Sequence, residues 1–161
     1  MANLYLMCAA PGAGKTYWTQ HHVKPGAAII SRDAIRDSIR DPKNKNFFAK
    51  EKEIYALFWD QINGALSDGR DVFADQTSLT KKSRKYLIDH VTGYDKLCAI
   101  WINTPTKLCF ERNAARTGWA RVPEDAMVSM HKAFVPPSYE EGFDEIYMIK
   151  DNKTYLMEKN I

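Results

Sequence analysis

Three cysteines in 161 residues, an odd number with no Cys-x-x-Cys pair, exclude a disulfide scaffold and a four-thiolate zinc site. Cys8, Cys98 and Cys109 instead read as reduced core residues of a cytoplasmic protein. The four histidines have no metal-ligand spacing, and the adjacent His21 and His22 read as solvent-facing. No stretch reaches the roughly 18 apolar residues that would span a membrane. The apolar run Leu4 to Cys8 lacks a basic flank and is too short for a secretory leader, so a core strand is expected there. Charge of one sign is scarce as well: 23 Lys and Arg against 20 Asp and Glu leave +3. That balance permits a polyanionic partner without demanding one. No repeat, low-complexity tract or interdomain linker is visible, and the length suits a single domain over 1–161 that buries about 70% of its unfolded surface.

What is present is order. Short apolar runs rich in β-formers recur at Asn3–Cys8, Ala27–Ser31, Val72–Asp75, Lys96–Ile102 and Glu145–Ile149. Between them lie amphipathic segments at Lys15–His22, Ala34–Arg40, Phe47–Ser67, Thr80–Val91, Thr106–Ala115 and Glu124–Lys132. This alternation predicts an α/β fold, an open, doubly wound, mostly parallel five-stranded sheet with helices on both faces. In the longest helix, Ile54, Phe58, Ile62 and Leu66 form a core stripe, and Gly69 lies just past its end. Asp41–Asn46 reads as a polar loop, Pro136-Pro137 stops the sixth helix, and the last ten residues have no clear assignment.

The run Ala9-Ala-Pro-Gly-Ala-Gly-Lys-Thr16 follows the first strand and opens the first helix. That is the context of a nucleotide phosphate-binding loop, the mark of a P-loop NTPase. Residues Pro11, Gly12, Ala13, Gly14, Lys15 and Thr16 would wrap backbone N–H groups around the phosphates of ATP. Lys15 would neutralise their charge, and the Thr16 hydroxyl would ligate Mg2+. The strict pattern asks for glycine at position 9. Ala9 costs about 1–2 kcal/mol if the backbone there is left-handed and nothing if it is not.

In an open parallel sheet the ligand meets the carboxyl ends of the strands. Ser31-Arg-Asp-Ala-Ile-Arg36 lies at such an end, where Asp33 can take the proton of an attacking hydroxyl and Arg36 can hold an acceptor phosphate. The alternative is that Asp33 caps the helix and Arg36 joins a solvated face. Its coupling to a phosphate-binding loop favours the first reading, while Arg32 stays open between surface and site. Asp75 and Thr77 follow the third strand and can reach the same edge, Asp75 towards the magnesium shell or an arginine and Thr77 towards the acceptor. The alternative is that both only make the turn, with Thr80 capping the next helix.

Arg112 and Arg116, four apart, are expected on one helix face, where an anion between them would relieve their repulsion. Gly118, Trp119 and Arg121 then suggest a mobile connection, so residues about 112–123 read as an arginine-bearing lid, against the plainer reading of a helix end enriched in arginine. Lys81, Lys82, Arg84 and Lys85 crowd a helix start, where the dipole disfavours cations; a solvated face is their commoner meaning, and contact with a nucleic acid the less common one.

Taken together, Pro-Gly-Ala-Gly-Lys-Thr at 11–16, Ser-Arg-Asp-Ala-Ile-Arg at 31–36, Asp-Gln-Thr-Ser-Leu at 75–79, Glu-Arg-Asn-Ala-Ala-Arg at 111–116 and Val-Pro-Glu-Asp at 122–125 resemble the kinase domain of bacteriophage polynucleotide 5′-hydroxyl kinases, within the small P-loop kinases that include zeta toxins. The resemblance covers most of the chain. It implies an ATP- and Mg2+-dependent kinase acting on 5′-hydroxyl ends of DNA or RNA in end repair, in the cytoplasm, host cytoplasm if phage-encoded. It further implies that Asp33 is the general base, that Arg36 binds the acceptor's 3′-phosphate, that Arg116 stabilises the transferring phosphoryl group and that Arg112 supports nucleotide binding. Departures are Ala9 for glycine and Ser78 where asparagine is common; no Asp-x-Asp-x-Thr phosphatase motif occurs, so phosphorylation without dephosphorylation is expected. A kinase of a small acceptor (nucleoside, nucleotide or sugar) and a toxin-like kinase held by an inhibitory partner are the alternatives.

Overall fold

Strand β1 (Leu4–Cys8) is the axis of the molecule. Its side chains alternate between the two faces of the sheet, and both faces are covered. Leu4, Leu6 and Cys8 point into one apolar cluster, with Ile54, Phe58 and Ile62 among its members. Met7, followed by Ala9, points into a second cluster with Ile100, Ile102 and Cys109. A strand buried on both sides must be apolar throughout, which is why this run contains no charge.

The computed structural model describes residues 2–39 and 51–159. The expected loop Asp41–Asn46, together with Arg40 and the helix start at Phe47, lies outside the described residues. Around β1 the sheet runs β2 (Ala28–Ser31), β3 (Val72–Asp75), β1, β4 (Leu97–Ile102), β5 (Glu145–Lys150) and β6 (Lys153–Leu156). All neighbours are parallel except β5 and β6. Helices α1 (Lys15–His22), α2 (Arg32–Ile39), α3 (Glu51–Ser67), α4 (Lys81–Ile88), α5 (Thr106–Ala114) and α6 (Glu124–Ala133) fill the crossovers. The sheet is therefore doubly wound as the sequence predicts, but with six strands in place of five.

The additional strand is made by a two-residue turn. Asp151 and Asn152 take φ of 51° and 60°, and Lys150 pairs with Lys153 across them. Positive φ at both central positions suits a tight hairpin, and Asp and Asn tolerate it better than most residues. Every residue of β6 is exposed. With no apolar alternation to read, the strand is silent in the sequence.

Helix α3 buries the stripe Ile54, Phe58, Ile62, Ala65 and Leu66 against the sheet. Full burial of Phe58 alone contributes about 1.5–3 kcal/mol. Past its end Gly69, at φ 78°, donates to Leu66 O while Arg70 donates to Ala65 O, closing the helix with glycine in the left-handed position. All three cysteines are free and buried. Burial pushes the Cys8 thiol up to about 12 and Cys98 up to about 11. These are inert core thiols, not nucleophiles.

Candidate active site

The carboxyl ends of β1, β2 and β3 share one edge, and Ser31 stands level with Asp75 across the β2–β3 pair. The strand order divides about β1, so the loop after β1 opens into the crevice where open α/β sheets bind ligands.

That loop is pinned from outside. Ala9 is buried and is absent from the positive-φ residues, so the missing glycine carries no left-handed strain. Gly12 sits at φ 84°, and a Cβ there would stand 2.4 Å from the carbonyl oxygen of Cys109 on α5. No larger residue fits. The carbonyl of Ala13 accepts from Thr104 Oγ1 at 2.7 Å and from Arg112 Nη1 at 3.1 Å. His131 Nε2 donates to the carbonyl of Pro11 at 3.0 Å, which fixes the proton on that nitrogen. The carbonyls of Pro11 and Ala13 are thus taken by outside donors and Ala13 N donates to Ala10 O at 3.2 Å, while the N–H groups that open α1 face the crevice for an anion. Gly14, at φ 99°, forms the junction with that helix.

Lys15 Nζ lies 2.7 Å from Asp75 Oδ1. Asp75 therefore holds the loop lysine rather than an arginine. Thr16, the next residue, is exposed beside the pair. Thr77 is exposed two residues beyond Asp75, and Thr80 caps α4, accepting from Ser83 N at 3.1 Å.

At the end of β2 the helix begins two residues earlier than the sequence predicts, at Arg32. Ser31 Oγ accepts from Ala34 N at 3.2 Å, so Ser31 fills the capping role that competed for Asp33. The Asp33 carboxylate is 78% exposed and pairs with Arg36 Nη1 at 2.6 Å. Arg36 is also gripped by Glu51, through Nε at 3.1 Å and Nη2 at 3.0 Å. Arg32 belongs to the same cluster. It donates to the hydroxyl of Tyr55, reaches Gln76 Oε1 at 3.4 Å and stacks 4.3 Å over the Tyr55 ring. Arg32, left open between surface and site by the sequence, lies between Gln76 and Tyr55 with Glu51 at 3.6 Å.

The structure corrects the expectation for the two arginines after α5. The helix ends at Ala114, so Arg112 and Arg116 do not share a helix face. Arg112 reaches back to the phosphate-binding loop, whereas Arg116 is exposed and makes no ion pair among the described residues. The segment carrying Arg116 and Arg121 is closed at its base by Asn113, whose side chain donates to Val122 O at 2.7 Å and accepts from Val122 N at 2.9 Å. A short 3-10 turn, Gly118–Ala120, lies between.

Arg84 is a second correction, because it is fully buried rather than part of a solvated basic face. It donates through Nε to Glu141 at 2.6 Å, and through Nη1 to the carbonyls of Ser78 and Val135 at 2.9 Å each. It thus fixes the turn after β3, where Ser78 is held at φ 44°. Among its neighbours, Lys81 and Lys85 pair with Glu140 and Asp89 at the surface.

Sequence reasoning missed Glu51, Gln76, Thr104, Asn113 and His131. Thr104 lies just past the end of β4, so the strand-end rule applied to that strand would have found it. Gln76 follows the end of β3 and falls under the same rule, whereas Glu51, Asn113 and His131 act over separations that no local pattern encodes.

Comparison with known proteins agrees with this fold. A protein of Acanthamoeba polyphaga mimivirus named for a bifunctional polynucleotide phosphatase/kinase is 26% identical over 167 aligned positions, covering 99% of this chain and 35% of that protein. The chain therefore spans about a third of that relative's length. Among solved structures, a chain of the Pnkp1/Rnl/Hen1 RNA repair complex superposes with a TM-score of 0.68 at 17% identity, over 82% of this chain and 43% of that one. Kti12 of Chaetomium thermophilum, in complex with ADP-AlF3, gives 0.61 at 14% identity over 92% and 89%. A sugar kinase of Janibacter sp. HTCC2649 gives 0.61 at 14% over 86% and 80%. These neighbours establish the P-loop kinase fold. Residues 4–137 match the AAA domain model, and the chain belongs to that family.

Proposed function

We propose that this chain is an ATP-dependent polynucleotide kinase that moves the γ-phosphate to a 5′-hydroxyl end of DNA or RNA, in nucleic-acid end repair. The observation that carries the reading is one line of charge along adjoining strand ends: Lys15 on Asp75 after β1 and β3, and Asp33 on Arg36 after β2. Donor and acceptor machinery then flank one crevice. The name of the mimiviral relative and the RNA repair complex among the structural neighbours support a polynucleotide acceptor.

In this reading the loop N–H groups and Lys15 bind the donor phosphates. The oxygen donors offered at the loop are the exposed hydroxyl of Thr16 and the carboxylate of Asp75, which holds Lys15. Among the described residues no group of three or more His, Cys, Asp or Glu could hold a metal alone. Such hard oxygen donors, few in number, fit Mg2+ shared with phosphates and water. Thr16, with Asp75 acting through water, would hold Mg2+, which would supply positive charge against the phosphates. Asp33 accepts the proton of the 5′-hydroxyl as its oxygen bonds to the γ-phosphorus, and the bond to the β-phosphate oxygen breaks. Arg36, oriented by Glu51, binds the acceptor's 3′-phosphate. Arg116 comes over the transferring group on the segment closed by Asn113 and Val122, and Arg112 braces the loop from behind.

The test is transfer of label from γ-labelled ATP, with Mg2+, to a 5′-hydroxyl oligonucleotide, a nucleoside 3′-monophosphate and free nucleosides, with Asp33→Ala as the blank. Label on the oligonucleotide is expected. Label on small acceptors alone would replace the polynucleotide assignment with a small-acceptor kinase. Toxicity on expression relieved by Asp33→Ala would mark a toxin-like kinase instead.

A further inference from the structure

Four aromatic rings lead away from the acceptor residues along the seam between α3 and α4, with Tyr55 and Trp59 half-buried. Tyr55, under the Arg32 guanidinium, meets Tyr86 edge-on at 5.2 Å. Tyr86 meets Trp59 at 5.3 Å, and Trp59 stacks on His90 at 3.8 Å, nearly parallel. Tyr86 is 46% exposed, and His90 is exposed at the far end. The Tyr86 carbonyl accepts from His90 Nδ1 at 2.7 Å, which locks that ring in place.

The acid nearest the rings is engaged: Glu51, one turn before Tyr55, pairs with Arg36 at 3.0 Å and lies 3.6 Å from Arg32. On α3, Lys52 stands one turn before Tyr55, while Glu53 and Asp60 fall on a different stripe. On α4, Lys82 stands one turn before Tyr86. Neither lysine has an ion-pair partner among the described residues, whereas Asp89 is covered by Lys85 at 2.9 Å. Cations interleaved with ring faces, continuous with Arg32, match the chemistry of a single-stranded polynucleotide: bases stack on rings while phosphates meet cations.

We infer that Tyr55, Trp59, Tyr86 and His90, with Lys52 and Lys82, form a track that binds the nucleotides downstream of the 5′ end. This rests on the polynucleotide reading of the acceptor site. It makes substrate length a property read by α3 and α4 rather than by the phosphate-binding loop.

The experiment compares KM for an eight-nucleotide 5′-hydroxyl strand with KM for a nucleoside 3′-monophosphate. In the natural protein the strand is expected to have a KM about tenfold lower, the order of one stacked base. Tyr86→Ala should collapse that ratio towards one and Tyr86→Phe should keep it, with thermal melting confirming that both variants fold. Lys82→Ala should flatten the logarithmic salt dependence of strand binding by about 0.7. Equal KM for strand and monophosphate in the natural protein would overturn the track while leaving the kinase reading standing. Transfer to no acceptor would overturn the kinase reading. The track is then decided by anisotropy of a labelled strand, where equal binding by the natural protein and Tyr86→Ala would reject it.

Discussion

Lys15 Nζ and Asp75 Oδ1 are 2.7 Å apart, joining the loop after β1 to the end of β3. Both side chains are mostly buried, so the pair sets where the ammonium stands before any phosphate arrives. Lys15→Ala is expected to lower kcat by about 10²–10³-fold while the fold remains. Wild-type turnover in a variant with an unchanged melting curve would remove Lys15 from the site.

Because Ser31 caps α2, Asp33 is not needed for the helix start. Asp33→Asn should change stability by no more than about 0.5 kcal/mol. It should keep ATP affinity and lose kcat by about 10²–10⁴-fold. Ser31→Ala should do the reverse, costing about 1 kcal/mol of stability through the lost cap. Unfolding midpoints beside single-turnover rates separate the two, and undiminished turnover of Asp33→Asn would defeat the general-base role.

Glu51 holds Arg36 through two nitrogens. Arg36→Ala is expected to raise KM about tenfold for acceptors bearing a 3′-phosphate, the worth of a hydrogen bond to a charged group. Glu51→Gln should raise the same KM by less, since it loosens the orientation and leaves the guanidinium in place. Equal effects on acceptors with and without the phosphate would contradict this placement.

Arg84→Ala leaves the Glu141 carboxylate, 9% exposed, without its partner. A loss of about 3–5 kcal/mol is expected. Lys82→Ala, two residues away and exposed, should stay within about 0.5 kcal/mol. Urea denaturation of the two variants measures the contrast, and similar midpoints would mean that Arg84 is not the anchor of the turn after β3.

Cys8 gives the protein an alkaline limit. Burial raises its thiol from 9.0 to about 12, so the unfolded chain releases that proton at lower pH than the folded one. The stability contributed by the neutral thiol is complete below pH 9 and is lost as pH rises towards 12. At pH 10 the loss is about 1.4 kcal/mol. Denaturation at pH 7 and pH 10 should show a smaller fall for Cys8→Ala than for the natural protein, and equal falls would exclude this origin.

Much of the fold was legible because burial leaves a periodic trace. The two-sided burial of β1 makes its run wholly apolar, and the stripe of α3 repeats at helical spacing. The bounds of α1 and β3 coincide with those the sequence predicts. Strand β6 left no trace because both its faces meet solvent. Arg84 was misread for the opposite reason: its charge is satisfied by Glu141, 57 residues away, and a local run of basic residues carries no record of that partner.

By itself the sequence determined the phosphate-binding loop, the alternating architecture and the set of strand-end residues, since each depends on neighbours within a turn or on periodic burial. Tertiary structure alone decided that Asp75 takes Lys15, that Ser31 frees Asp33, that Glu51 orients Arg36 and that Arg112 and Arg116 part company. It also joined Arg32 to an aromatic surface on two helices. Each of these is a directional contact between groups whose separation and orientation are fixed only after the sheet has assembled and the helices have docked on it.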